Sequence, residues 1–128
     1  MNLDTIKIIV VDDNKFMTHS IANAIKSIGI ENVFEVNDGY EAINIATREL
    51  PQLIFLDLIM PGIDGFQTLR LLKSMDQLKN TFVIVTTAND DIQSVTDAIK
   101  LGANKYILKS EVVVYIKHKL LNLLRELV

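Results

Sequence analysis

Asp12, Asp13, Asp57, Thr86, Thr87 and Lys109 are the residues of this chain whose types suit shared chemistry. Three carboxylates gathered at one crevice repel one another and need a cation for compensation. These segments offer only oxygen ligands, so a hard ion such as Mg2+ suits them best. An ammonium and a hydroxyl added to such a set turn it toward phosphoryl chemistry. The transferred group spreads its charge over several oxygens, which a metal ion, an ammonium and a hydroxyl can each contact. A carboxylate can itself attack phosphorus as a nucleophile. No strong general base accompanies the set, which favours accepting a phosphoryl group over rapid turnover.

The elements that must position these residues alternate along the whole chain. Ile6 to Val11 is a β-branched run and reads as a buried strand. From Asn14 to Ile28, apolar residues at Met17, Ile21, Ala24, Ile25 and Ile28 mark one face of a helix, stopped by Gly29. Val33 to Val36 is a second strand. Asp38 caps the next helix, with Glu41 completing a capping-box arrangement, and that helix fades before Pro51. Leu53 to Leu56 is a third strand ending in Asp57. Asp64 opens a helix carrying Phe66, Leu69, Leu72 and Met75. Phe82 to Val85 is strand four, followed by Thr86 and Thr87. Asp90 or Asp91 caps a helix to about Leu101, and Gly102 ends it. Tyr106 to Leu108 is strand five, followed by Lys109, and Val112 to Leu127 is the last helix. Apolar strands joined by helices imply a parallel sheet covered on both faces, with right-handed crossovers. In such a sheet ligands bind beyond the carboxyl ends of the strands, where all the reactive residues fall.

The bulk numbers agree with one globular domain. The chain has 128 residues, 49% hydrophobic and 23% charged, with no repeat and no Pro/Gly-rich linker. A net charge of −3 argues against a direct role on nucleic acid. No run reaches the ~18 apolar residues of a membrane span, and the start lacks a signal peptide, so no membrane insertion and a cytoplasmic location are expected. The absence of cysteine excludes disulfides and thiolate metal sites.

The pair Asp12-Asp13, the segment from Asp57 to Gly65 (DLIMPGIDG), the Thr87-Ala88 step and Lys109 together resemble the receiver domains of two-component response regulators. The likeness runs from Ile6 to Leu127, so residues 1–128 are expected to be a single receiver domain. The resemblance implies a flavodoxin-like, doubly wound (βα)5 fold with a five-stranded parallel sheet in the order 2-1-3-4-5. It implies a phosphorylation switch in which Asp57 takes a phosphoryl group from a sensor histidine kinase or a histidine phosphotransfer protein. Asp13 and Asp57 would bind Mg2+ directly, Asp12 mainly through water, and the Ile59 backbone carbonyl would complete the protein ligands. Lys109 would pair with the phosphoryl oxygens, Thr87 would move to them, and Tyr106 would turn inward. Ala88 would keep the site open. Ile59 and Asn89 stand where side chains tune loss of the phosphoryl group. The signal would leave through the helix 4, strand 5 and helix 5 face by a population shift. Because the chain starts at Met1 and stops with its last helix, a stand-alone regulator acting on an output protein is expected.

Ser110 departs from the family, which usually has a proline after the lysine with a cis bond before it. A cis bond before a non-proline residue costs about 2.5–4 kcal/mol, so a trans bond is expected. Thr86 and Thr87 are both candidate switch hydroxyls, and Thr87 is preferred because Ala88 follows it. His19 and His118 read as surface residues, and Met17, Met60 and Met75 as packing residues.

In the last helix Val113, Ile116, Leu120, Leu124 and Leu127 make a core stripe, with Val114, Leu121 and Val128 beside it. So wide an apolar arc fits either deep burial or a docking surface. Lys105 stands where receivers that dimerise through this face often carry an acid, so a monomer or weak homodimer is expected. Two other classes compete. A phosphatase of the haloacid dehalogenase type would carry a second aspartate at position 59, where this chain has isoleucine, so no turnover enzyme is expected. A pseudo-receiver, an interaction module without phosphorylation, would not need the intact site set.

Overall fold

The structure is a computed structural model and describes residues 1–88 and 92–128. Five strands, β1 (Lys7–Val11), β2 (Asn32–Val36), β3 (Leu53–Asp57), β4 (Phe82–Thr87) and β5 (Lys105–Leu108), form one parallel sheet in the order β2-β1-β3-β4-β5. The helices α1 (Lys15–Ser27), α2 (Gly39–Glu49), α3 (Gly65–Ser74) and α4 (Ile92–Lys100) fill the crossovers. After β5 come a 3-10 turn at Lys109–Glu111, α5 (Val112–Tyr115), a π-helical turn (Ile116–Leu120) and α6 (Leu121–Leu127).

Alternation along the strands divides the core into two layers. Ile9, Val11, Ile54, Leu56, Val83 and Val85 face one way and meet Ala42, Ala46, Leu69, Leu72 and Ala98 of α2, α3 and α4. Ile8, Val10, Phe55, Ile84 and Ile107 face the other way and meet Ile21 and Ile25 of α1 and the C-terminal helices. The central strand β3 is buried at all five positions. Met60 is buried, while Met17 and Met75 pack at the core margins.

Local chemistry sets the helix ends. Asn14 caps α1 by accepting from the Phe16 and Met17 N–H groups. Asp38 caps α2 by accepting from the Glu41 N–H, its half of the expected box. The full reciprocal box forms at Asp64 and Gln67 on α3. Leu50 ends α2 with φ +51°, a left-handed conformation that ordinarily costs a non-glycine residue about 1–2 kcal/mol. The expected cap at Asp90 or Asp91 lies outside the described residues.

Two expectations need correction. Thr86 and Thr87 lie inside β4 rather than after it, extending its ladder to Ile107 and Leu108 of β5. The buried stripe of the last helical rod is Val112, Ile116, Leu120 and Leu124, whereas Val113 is only partly buried and Leu127 is exposed. That stripe repeats every four residues. On an α-helix each step of four overshoots a turn by about 40°, so three steps would carry Leu124 about 120° away from Val112. The π turn underwinds the rod between Ile116 and Leu120 and keeps the four residues on the sheet.

Candidate metal and phosphoryl site

The strand order reverses between β1 and β3, and the crevice above that point is where an open α/β sheet receives ligands. β1 delivers Asp12 and Asp13 there, β3 delivers Asp57, and the turn after β5 delivers Lys109. Carboxylate oxygens of Asp12, Asp13 and Asp57 all lie within 4.8 Å of one another. Asp12 and Asp57 are 1% and 2% exposed, while Asp13 faces solvent. The Lys109 Nζ is 2.9 Å from Asp12 Oδ2 and 3.1 Å from Asp57 Oδ2.

Each acid is held by the backbone. Asp12 Oδ1 accepts from the Asn14 N–H at 2.9 Å, and the Asp12 carbonyl accepts from Asn37 Nδ2 at 2.9 Å. Asp57 Oδ1 accepts from the Ile59 N–H at 3.2 Å. The second oxygens, Asp12 Oδ2 and Asp57 Oδ2, are buried and meet no donor in hydrogen-bond geometry, so their contacts with Lys109 are ionic rather than aligned. Burial, then the neighbouring Asp12 charge, pushes the Asp57 carboxyl up to about 6, against the pull of the Ile59 N–H and Lys109. Burial alone would lower the Lys109 ammonium, but Asp12 and Asp57 outweigh it and hold it above the ordinary lysine value.

One ammonium facing this acidic group leaves the Asp57 charge undercompensated. Two buried carboxylate oxygens that share one ammonium, in an all-oxygen donor set, fit a hard divalent cation. Asp12, Asp13 and Asp57 could hold it.

The other expected residues surround the crevice. Thr86 pairs with Asp57 across the β3–β4 ladder and with Ile107 across β4–β5. Thr87 lies opposite Leu108, and Val85 lies opposite Tyr106, so alternation puts Thr87 and Tyr106 on the same face of the sheet. Tyr106 is 41% exposed and thus sits outward, and Ile59 is 76% exposed beside the crevice. Ala88 is exposed directly after β4. Asn89 lies outside the described residues. The Lys109–Ser110 bond is trans, as no cis bond occurs among the described residues. His19 and His118 are exposed, and His19 Nδ1 stands 3.6 Å from Glu35.

Two supports were not legible as such in the sequence. A Cβ on Gly65 would collide with the Asp57 carbonyl oxygen and the Leu58 Cα, so only glycine lets α3 begin against the end of β3. Its N–H donates to the Leu58 carbonyl at 2.9 Å. Away from the site, Lys73 Nζ donates to the Thr81 carbonyl at 2.7 Å and to Asn104 Oδ1 at 3.2 Å, tying α3 to the starts of β4 and β5. Burial lowers its pKa.

Comparison with known proteins agrees with this geometry. The family described as the response regulator receiver domain matches residues 8–120. The chain is 35% identical over 104 residues to the chemotaxis protein CheY of Listeria monocytogenes, covering 81% of this chain and 86% of that protein. The signal receiver domain of the response regulator NarL of Mycobacterium tuberculosis has a TM-score of 0.82 at 27% identity, covering 95% of this chain and 98% of that one. The phosphorylated cyanobacterial phytochrome response regulator RcpA has a TM-score of 0.78 at 29% identity, covering 87% and 88%. No helix among the described residues is long and apolar enough to cross a membrane. With its sheet order, its acidic crevice and this match over most of its length, the chain belongs to the response regulator receiver domain family of two-component systems.

Proposed function

We propose that this receiver is a phosphorylation switch whose phosphoacceptor is Asp57 and whose cofactor is Mg2+. One observation carries it: three carboxylates and the Lys109 ammonium converge on the sheet's switch point, with that single ammonium shared between two buried carboxylate oxygens. An Asp57 oxygen attacks the phosphorus of a phosphohistidine on a sensor kinase or phosphotransfer protein. The new O–P bond replaces the N–P bond, and the imidazole leaves with its electron pair. Bound Mg2+ would neutralise charge on the transferred oxygens. Asp13 and Asp57 would hold it directly, the Ile59 carbonyl would complete the protein ligands, and Asp12 would act through water. Lys109 stabilises the phosphoryl oxygens from the far side of Asp57.

Thr87 then donates its hydroxyl to the phosphoryl group, and Tyr106, outward in this structure, turns in along the shared sheet face. The result is a shift between two populations of the α4, β5 and α5 surface, read by an output protein. Ala88 leaves room for the group, the apolar Ile59 gives attacking water no help, and Asn89 stands at the other position that tunes how fast the phosphoryl group is lost. The chain acts as a switch in the cytoplasm, monomeric or weakly dimeric, rather than as a turnover enzyme.

Beryllofluoride, a phosphoryl mimic, tests this. With Mg2+ present, NMR resonances of Thr87, Tyr106 and Lys109 should shift together, and EDTA should reverse the change. Mg2+ binding without any beryllofluoride response would point instead to an interaction module that phosphorylation does not control.

A further inference from the structure

The three acids of the crevice are not held alike. Asp12 and Asp57 each accept a backbone N–H and stand against the Lys109 ammonium. Asp13 is exposed, and no hydrogen bond or ion pair with the described residues holds its carboxylate. Its direction is therefore set by the backbone that carries it.

That backbone lies just past the β1–β2 ladder. The two strands run in register to Val11 and Val36, and the Asp12 N–H makes the last bond, to the Val36 carbonyl at 3.0 Å. In a continued parallel ladder the Asp38 N–H would serve the Asp12 carbonyl next. Asp38 instead turns the chain into α2 as its cap. The Asn37 side chain fills the gap: its Nδ2 donates to the Asp12 carbonyl at 2.9 Å. Holding that carbonyl fixes the rotation about the Asp12 Cα–C bond, because the peptide it belongs to is planar. This rotation decides where Asp13 is carried. On the far side of Asp13 the Asn14 N–H is tied to Asp12 Oδ1, so Asp13 sits between two anchors, one of them Asn37. Asn37 is half-buried and borders an open hollow with Lys15, Phe16, Thr18, His19 and Glu35, so packing from that side does not replace its hydrogen bond.

We propose that Asn37 is a positioning residue that sets metal affinity and selectivity: its amide aims Asp13 for the strict octahedral shell of Mg2+. The inference rests on the proposed Mg2+ site and adds to it a residue that would not touch the ion. Mg2+ tolerates little departure from octahedral geometry, whereas Ca2+ accepts longer and irregular shells. Loss of the anchor should therefore cost Mg2+ more than Ca2+.

The test compares wild type, Asn37→Ala and Asn37→Asp by calorimetric titration with Mg2+ and with Ca2+. Groups that hold a metal ligand from behind change affinity about ten- to a hundredfold when removed. Asn37→Ala should weaken Mg2+ binding about tenfold and Ca2+ binding less than about threefold. Asn37→Asp, equal in size but without the donor, should also lower the ratio of Mg2+ to Ca2+ affinity, and it decides if the alanine variant does not fold. Asn32 gives a matched control: at the other end of β2 its Nδ2 donates to the Asp4 carbonyl at 2.8 Å. Asn32→Ala should leave both affinities unchanged. In the metal-free protein the NMR order parameter of the Asp13 amide should fall from about 0.85 toward about 0.6 in Asn37→Ala.

An unchanged Mg2+ affinity, equal losses for Mg2+ and Ca2+, or the same loss in Asn32→Ala would overturn the proposal. So would an Asp13 amide that stays rigid in Asn37→Ala. A wild-type chain that binds no Mg2+ would count against the switch itself, and the order parameter of the metal-free protein would then decide the role of Asn37 alone.

Discussion

The Lys109 ammonium stands 3.1 Å from the Asp57 carboxylate, and the same nitrogen reaches Asp12 at 2.9 Å. One cation therefore bridges acids that arrive from β1 and β3, strands adjacent in the sheet but 45 positions apart where those acids stand (57 − 12). The carboxylates still lack full compensation, because burial and the Asp12 charge raise Asp57 to about 6. A site left in this condition is a destabilising feature of the fold, which is what a site awaiting a cation and a phosphoryl group should be.

Asp57→Asn should therefore stabilise the metal-free protein. In the folded chain Asp57 holds its proton from the ordinary 3.8 up to about 6, whereas the unfolded chain releases it near 3.8. The folded state binds more protons in that window, so stability falls as pH rises from about 4 to 6 and stays lower above it. At roughly 1.4 kcal/mol per pKa unit the penalty at neutral pH is on the order of 2–3 kcal/mol. Urea melts at pH 7 should show Asp57→Asn more stable by about that amount, with the difference shrinking toward pH 4. Equal stability at both pH values would contradict the electrostatic account.

Lys109→Gln removes the bridging charge without removing length. Asp57 should then titrate above its present value, and the metal-free protein should lose about 1–3 kcal/mol at pH 7. Mg2+ affinity, read by isothermal calorimetry, should rise rather than fall, since a competing cation has left the crevice. The beryllofluoride response of Tyr106 should be lost. A weaker Mg2+ affinity would mean that Lys109 orders the acids rather than competing with the ion.

Gly65→Ala should cost about 1–3 kcal/mol or more, because the added carbon meets backbone at Asp57 and Leu58 that cannot swing aside. The same change should weaken Mg2+ binding, since relief requires moving the end of β3. A Gly62→Ala control separates crowding from loss of backbone freedom: Gly62 has φ +77° but open space around it. Gly62→Ala should lower the melting temperature while leaving Mg2+ affinity unchanged.

Thr87→Ala and Thr86→Ala should part company. Thr87 shares a sheet face with Tyr106, and Thr86 lies on the opposite one, toward Ile107. Thr87→Ala should still accept a phosphoryl group on Asp57 but leave the Tyr106 resonance unmoved. Thr86→Ala should keep the Tyr106 response. The reverse pattern would make Thr86 the switch hydroxyl.

The strands were legible where apolar runs were unbroken, as at Leu53 to Leu56, because a strand buried on both faces has no polar alternation to confuse it. The acids and Lys109 were legible because each follows such a run. The sheet order was available only through family resemblance, since periodicity carries no information about which strands are neighbours. Thr86 and Thr87 read as loop because polar residues normally end an apolar run, yet ladder pairing on both sides keeps them in β4. An α-helical period along the last helix points to Val113, whereas the π turn, which propensity does not signal, goes with burial of Val112 instead. Gly65 sat in plain view inside the matched segment, but its role depends on a backbone approach that only coordinates reveal.

The most direct measurement is site-resolved mass spectrometry after incubation with acetyl phosphate and Mg2+. The account predicts one phosphoryl group per chain, on Asp57, with a rate that rises as pH passes upward through about 6 in limiting Mg2+ because the carboxylate is the nucleophile. It also predicts no incorporation in Asp57→Asn or in EDTA. A wild-type protein that stays unmodified, or one labelled elsewhere while Asp57→Asn is labelled equally well, would contradict it.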